Sequence, residues 1–268
     1  METATSADGT VITFEQFGEG LPVVIVGGAF STAADGGALA AALVGVGFRA
    51  VTVDRRGRGS SGDKRGSTPA DEADDITAVI EAIGGNAIVV GHSSGAILAL
   101  FAASRGASIR ALFLSEPPFH FDIGDPKPPL ADRLQRLVDE GQSDEAVVTF
   151  QLEGVGLPRE RVESIRQSEM FAGLVAIAQS TVYDARLAAE LSTPTPEMLS
   201  VSQPVTILRG AQTFPILITA ADRLAEEMDD AELVVVPESV MHRLDPAATA
   251  RIVLRASDDA GARSRQPE

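Results

Sequence analysis

Apolar and polar positions recur along this chain in a fixed order: a short apolar run, a turn, a longer helix-favouring stretch, and the next apolar run. Residues 4–17 alternate about Asp8-Gly9, a dipeptide suited to a hairpin turn, and predict two antiparallel edge strands. Residues 21–26 (LPVVIV) form a continuous β-branched run ending in Gly27-Gly28-Ala29-Phe30, the pattern of a strand buried on both faces that enters a tight loop. The alanine-rich stretch 32–44 predicts a helix stopped by Gly45 and Gly47, and 48–53 the next strand. Thr68-Pro69 opens a helix whose apolar face is Ala73, Ile76, Val79, Ile80 and Ile83, closed by Gly84-Gly85. A strand over 86–90, a helix over 96–103 and a strand over 111–114 follow. The rhythm then stops until Gln203, giving way to helical stripes: Leu130, Leu134, Leu137 and Val138; Val147, Val148 and Phe150; Val162 and Ile165. It resumes with a strand over 204–208, a helix around 220–228, a last strand over 232–236 and a helix over 247–254, beyond which 256–268 is polar and predicted to fray. Strand–helix alternation of this kind predicts an α/β fold with an eight-stranded, mostly parallel sheet flanked by helices.

At the centre of the pattern, between strand 86–90 and helix 96–103, stands Gly91-His92-Ser93-Ser94-Gly95. A serine on a sharp strand-to-helix turn takes a strained backbone conformation, and its neighbours two before and two after must be nearly free of side chain for strand and helix to approach. Such a turn lifts the Ser93 hydroxyl above the sheet edge and aims the N-terminal N–H groups of the following helix at any anion formed there. This is a nucleophile elbow.

With these residues the chain resembles an α/β-hydrolase fold enzyme over about residues 10–254. The segment Asp54-Arg55-Arg56-Gly57-Arg58-Gly59-Ser60-Ser61-Gly62 contains a literal G-x-G-x-x-G, but 63–69 is turn-like and no acidic residue ends a strand ~20 residues on, so it is not a dinucleotide site. It resembles instead the family's Asp-x-Arg-Gly-x-Gly-x-Ser loop, which buttresses the active-site side of the sheet. The resemblance implies a core of residues 1–116 and 204–268 and an inserted helical cap, 117–203, that covers the site.

The family's chain order of serine, acid, histidine makes Ser93 the nucleophile and His242, after the last strand, the base. His92 adjoins the serine on a strained turn and points elsewhere, and His120 begins the insertion. The usual position of the acid, after the strand before the last, reads Arg209-Gly210-Ala211-Gln212-Thr213-Phe214-Pro215 and holds no carboxylate. Part of the superfamily places the acid just before the cap, where Glu116 stands; Asp222 is the rival, on a helical stretch. Backbone N–H groups of Ala29 and Ser94 would form the oxyanion hole, with Phe30, Phe119, His120 and Tyr183 lining the substrate pocket. The implied activity is cleavage of a carboxylic ester or lactone through an acyl-enzyme, with neither metal nor organic cofactor. The same motifs also serve perhydrolases, carbon–carbon hydrolases, non-hydrolytic members and small-ligand receptors with a vestigial triad.

Composition narrows the partners. Among 268 residues, 22 basic against 38 acidic leave a net charge of −16, which repels nucleic acid and anionic membrane surfaces; the partner that the resemblance implies is a small-molecule, ester-like substrate. Without cysteine there are no disulfides, thiolate nucleophiles or cysteine-ligated metals. The N-terminus carries no basic residue or apolar core, and no run reaches the ~18 apolar residues of a membrane span, so a soluble, cytoplasmic protein is expected.

Overall fold

The computed structural model of the chain describes residues 1–121 and 130–263. Its strands are β1 Glu2–Thr5, β2 Val11–Phe17, β3 Pro22–Val26, β4 Arg49–Val53, β5 Ala87–His92, β6 Ile109–Ser115, β7 Val205–Gln212 and β8 Ala231–Val240. They form one sheet in the order β1-β2-β4-β3-β5-β6-β7-β8, antiparallel at β1-β2 and β2-β4 and parallel from β4 to β8. The unbroken apolar runs of the central strands follow from burial on both faces. Val24, Val26, Val51, Val89, Leu112 and Ile207 join one core cluster, while Val23, Ile25, Ala50, Ile88, Val90 and Phe113 join another. The period of two along each strand thus divides one sheet between two cores.

Helices α1 Gly37–Gly45, α2 Pro69–Ala82 and α3 Ser94–Ser104 connect β3 to β4, β4 to β5 and β5 to β6. Helix α2 begins with a capping box, in which the Asp71 carboxylate accepts the Thr68 N–H at 2.8 Å and the Thr68 hydroxyl accepts the Asp71 N–H at 3.4 Å. Between β6 and β7 the described residues form α4 Leu130–Asp139, α5 Ser143–Thr149, a π turn Phe150–Gly154, α6 Arg159–Arg166, α7 Phe171–Ala176, α8 Gln179–Glu190 and α9 Pro196–Leu199. Ala131, Leu134, Ala146, Phe150, Val182 and Tyr183 gather into a third cluster, against which Ala29 and Phe30 pack.

Four boundaries in particular differ from the sequence pattern. Helix α10 (Pro215–Glu227) starts five residues before the predicted stretch, at a proline whose fixed φ suits the first helical turn. Strands β7 and β8 run on to Gln212 and Val240, because their pairing continues from Val205↔Ala231 to Gln212↔Val240. Helix α11 (Pro246–Arg263) runs well into the end predicted to fray, with Ala256 packed against the α1–α11 core.

Helix α3 rests almost directly on β3. A Cβ at Gly95 would lie 2.3 Å from the Val26 carbonyl oxygen and 2.5 Å from that of Gly27. Gly95→Ala should therefore lower the thermal midpoint, destabilising by about 1–3 kcal/mol through overpacking. Gly173, exposed in α7 with open space where a Cβ would go, should tolerate alanine with a gain of up to about 1 kcal/mol. Melting followed by circular dichroism checks both; equal midpoints for Gly95→Ala and the parent protein would contradict the close approach.

Candidate active site

The elbow lies where β5 passes into α3, at the C-terminal end of the parallel strands. Ser93 has φ 55° and ψ −127°, a conformation that L-residues avoid unless the surroundings impose it. Its N–H donates to the Ser115 carbonyl at 2.9 Å and its carbonyl accepts the Ala96 N–H at 2.9 Å, so strand and helix hold the turn from both sides. The loop after β3 crosses Ser93 closely: a Cβ at Gly28 would stand 2.7 Å from the Ser93 Cβ. Only glycine allows that passage.

Three residues far apart in sequence form one hydrogen-bonded line. His242 Nε2 lies 3.0 Å from Ser93 Oγ, and His242 Nδ1 lies 2.5 Å from Glu116 Oε2. An ionised carboxylate only accepts, so the proton sits on Nδ1 and Nε2 is left free to accept from the serine. Glu116 is 3% exposed, with φ 47° at the end of β6. Its Oε1 accepts the Gly210 N–H at 2.9 Å and its Oε2 accepts the Thr213 hydroxyl at 3.1 Å. Burial alone would raise the carboxyl pKa, but the bonds from His242, Gly210 and Thr213 outweigh it and hold the pKa below the ordinary value. The loop that lacks a carboxylate of its own thus supplies the donors that keep Glu116 ionised.

His242 reaches this line through a tight turn after β8. Met241 and His242 both have left-handed φ values, 51° and 61°; the Met241 N–H donates to the Gln212 carbonyl at 2.7 Å and the Arg243 N–H to that of Val240 at 3.0 Å. Asp222, by contrast, lies on α10 and pairs with Arg209 at 3.2 Å. His92 packs its ring on His242, centroids 4.7 Å apart, with Nδ1 3.2 Å from Ser115 Oγ. Burial and the neighbouring His242 push the His92 pKa down to about 4.

The Ser94 N–H is the first of α3, and the Ala29 N–H lies in the loop over Ser93; among the described residues neither has an acceptor. Phe30, in the left-handed region at φ 61°, packs edge-on against Phe150 with centroids 5.5 Å apart. Tyr183 shares the cluster of Phe150 against which Phe30 packs, whereas Phe119 and His120 lie elsewhere. Phe119 is 1% exposed and stacks edge-on with Phe121 in the core cluster that includes Leu187 and Leu191, because the Pro117-Pro118 turn folds the chain back onto Ser192, whose carbonyl accepts the N–H groups of His120 and Phe121. The same turn leaves the His120 side chain exposed and outside the hydrogen-bonded line. Tyr183 is buried and its hydroxyl donates to the Asp63 carboxylate, so its polar tip braces the 57–64 loop. Among the described residues no group of three or more His, Asp or Glu is arranged to hold a metal ion, and no helix is long and apolar enough to cross a membrane.

The sequence pattern missed a buried charged cluster beside the elbow. Arg55 donates to both Glu72 oxygens at 3.0 Å and to Asp184 at 3.1 Å, and Arg58 to Asp184 at 2.5 Å. All four side chains are at most 4% exposed. Breaking such a pair leaves an uncompensated buried charge, at a typical cost of about 3–5 kcal/mol. Both arginines lie in the Asp54–Gly62 stretch singled out by its motif, but Asp184 lies more than a hundred residues on, in a helix with no motif of its own.

Comparison with known proteins places this geometry in a family. Residues 23–254 match the model of the "Alpha/beta hydrolase family". The solved structure of an alpha/beta hydrolase from Sphaerobacter thermophilus is 39% identical, covering 95% of this chain and 99% of that one, with a TM-score of 0.86. A thermophilic esterase from Thermogutta terrifontis shares the fold at 22% identity (99% of each chain, TM-score 0.68). A meta-cleavage product hydrolase from Pseudomonas fluorescens does so at 20% (97% of this chain, 98% of that one, TM-score 0.65). No curated protein matches the sequence. From the motif order, the sheet topology and the family match together, this chain belongs to the alpha/beta hydrolase family.

Proposed function

We propose that this protein is a serine hydrolase that cleaves a carboxylic ester or lactone through an acyl-enzyme. The observation that carries the proposal is the line Glu116–His242–Ser93, with Nδ1 turned to the carboxylate and Nε2 to the hydroxyl. His242 takes the hydroxyl proton as Ser93 Oγ adds to the carbonyl carbon, and the carbonyl π electrons move to oxygen. The N–H groups of Ala29 and Ser94, backed by the positive end of α3, stabilise that oxyanion. Collapse expels the alkoxide, which takes the proton back from His242; for a lactone the alkoxide stays tethered to the acyl chain. Water, deprotonated by His242, then adds to the acyl-enzyme carbonyl; collapse of that adduct breaks the bond to Ser93 Oγ, which takes the proton back from His242, and the acid is released. Glu116 holds the imidazole in the productive tautomer and stabilises the imidazolium. Segment 117–203 acts as a cap over the site, with Phe30 and Phe150 forming an apolar wall for the substrate.

Ser93→Ala should remove ester turnover, by on the order of 10³-fold or more, while leaving the melting temperature close to that of the parent protein. A p-nitrophenyl butyrate assay of the purified proteins checks it; turnover by Ser93→Ala equal to the parent's would contradict the mechanism, and absence of turnover in both would count against an ester hydrolase.

Glu116→Gln keeps an acceptor for the Gly210 N–H but loses the negative charge beside Nδ1. It should lower kcat by ~10⁴-fold at most with a small change in melting temperature, whereas Asp222→Asn should leave kcat nearly unchanged. The reverse ranking on one activated ester would place the acid after the wrong strand.

On acidification kcat/KM should fall as the base becomes protonated. His92, held at about 4, is already neutral above about pH 5, so its protonation contributes nothing to that fall. His92→Asn should therefore show the same acid limb as the parent protein; a profile that turns flat in this variant would make His92 the base.

A further inference from the structure

The buried charged cluster touches the backbone on both sides of the nucleophile. Arg58, whose side chain is fully buried, donates through Nη1 to the Gly28 carbonyl at 2.6 Å and to the Ser31 carbonyl at 3.3 Å. Through Nη2 it reaches Asp184 Oδ2 at 2.5 Å. The other oxygen of Asp184 accepts the Ser94 hydroxyl at 2.8 Å and the Arg55 guanidinium at 3.1 Å. One carboxylate on α8 is therefore bonded to Ser94 itself and, through Arg58, to the peptide that carries the Ala29 N–H.

The consequence follows from peptide geometry. The Gly28–Ala29 unit is planar and trans, so its carbonyl and its N–H point in opposite directions. A guanidinium fixed on the carbonyl fixes where the Ala29 N–H points, and a cationic donor polarises the unit so that this N–H becomes a stronger donor. The second bond, to Ser31, holds the far end of a turn in which Phe30 is left-handed. Burial of four charges is not needed for stability alone, since well-packed apolar residues often serve as well. What apolar residues do not supply is a donor aimed at the Gly28 carbonyl.

We infer that Arg58 and Asp184 are positioning residues of the oxyanion hole, and that α8, through Asp184, couples the helical insertion to the rate of the chemical step. The inference rests on the proposal that Ala29 and Ser94 donate to the oxyanion, and extends it to the groups that aim them. Arg58 acts on the Ala29 peptide. Asp184 holds Arg58 on one side and the Ser94 side chain on the other.

The test compares Arg58→Lys, Asp184→Asn and Glu72→Gln with the parent protein and Ser93→Ala, using p-nitrophenyl butyrate. Active sites are counted by the stoichiometric release of p-nitrophenol from a p-nitrophenyl phosphonate. Glu72→Gln takes a charge from the same buried cluster; among the described residues the Glu72 carboxylate bonds only Arg55, whose Nη1 reaches the Ser94 hydroxyl at 3.2 Å and the Gly27 carbonyl at 3.3 Å, so the variant measures a lost charge one residue removed from Arg58, Asp184 and the Gly28–Ala29 peptide. The expected result is a fall in kcat per titrated site of about 10- to 100-fold for Arg58→Lys and Asp184→Asn, with KM within about threefold. Affinity for a trifluoromethyl ketone that forms a tetrahedral adduct on Ser93 should weaken in parallel with kcat/KM. Glu72→Gln should lose thermal stability yet keep kcat within about threefold. If Arg58→Lys does not fold, Asp184→Asn, which preserves side-chain shape, carries the same expectation. The inference is overturned if the positioning variants keep parental kcat per site, or if Glu72→Gln loses as much as they do. A parent protein no more active than Ser93→Ala would bring down the hydrolase proposal and this inference with it; an active parent with indifferent variants would bring down the inference alone.

Discussion

The geometry of the site depends on one close contact between backbones. Helix α3 approaches the end of β3 so nearly that a Cβ at Gly95 would overlap the carbonyl oxygens of Val26 and Gly27. With helix and strand at that distance, the residue between β5 and α3 has no relaxed conformation open to it, and Ser93 is held at a φ of 55°. The strain is borne by the packing of both neighbours. Ala96, Ile97, Leu98, Ala99 and Leu100 are all within 1% of full burial, so α3 does not shift to relieve it. The same approach brings the loop after β3 over the serine.

Two of the chain's buried carboxylates, Glu116 and Asp184, bond groups that converge on this turn. Glu116 leaves β6 and finds its donors in the next strand-to-loop transition, at Gly210 and Thr213, with His242 on its remaining face. Asp184 comes down from α8 and finds Arg55, Arg58 and the Ser94 hydroxyl. Each is an acceptor that would be costly to bury unpaired, and each is fully bonded to groups beside the nucleophile. One orients the imidazole; the other stands behind the peptides bearing the N–H groups. A carboxylate bonded from several directions has little freedom to move, and it holds in place the parts it touches.

The pattern of residues and the folded chain divide the explanation between them. Strands and helices were legible because burial on two faces demands continuous apolar runs and burial on one face demands a helical stripe, and both periods are local. Their ends were less so. The start of α10 at Pro215, the extension of β7 and β8 and the length of α11 follow from strand pairing and helix docking, which no window of sequence contains. Phe119 shows the same limit at the level of side chains: an aromatic residue near a site looks alike whether its ring lines a pocket or, as here, is spent on Phe121.

What the sequence determined by itself is the fold class, the elbow around Ser93 and the short set of acids and histidines able to serve it, because glycine spacing, apolar period and chain order are properties of the string. Only the tertiary structure decided which of these meet. Ser93 lies 23 positions before Glu116 and 149 before His242, yet their distances are set by how far β7 and β8 extend before turning. Arg58 and Asp184 meet because α8 packs down on the loop that crosses the serine. Contacts across such separations carry no local signature, since the entropy of closing the chain between them is offset by the packing of the whole sheet rather than by any residue in the motif.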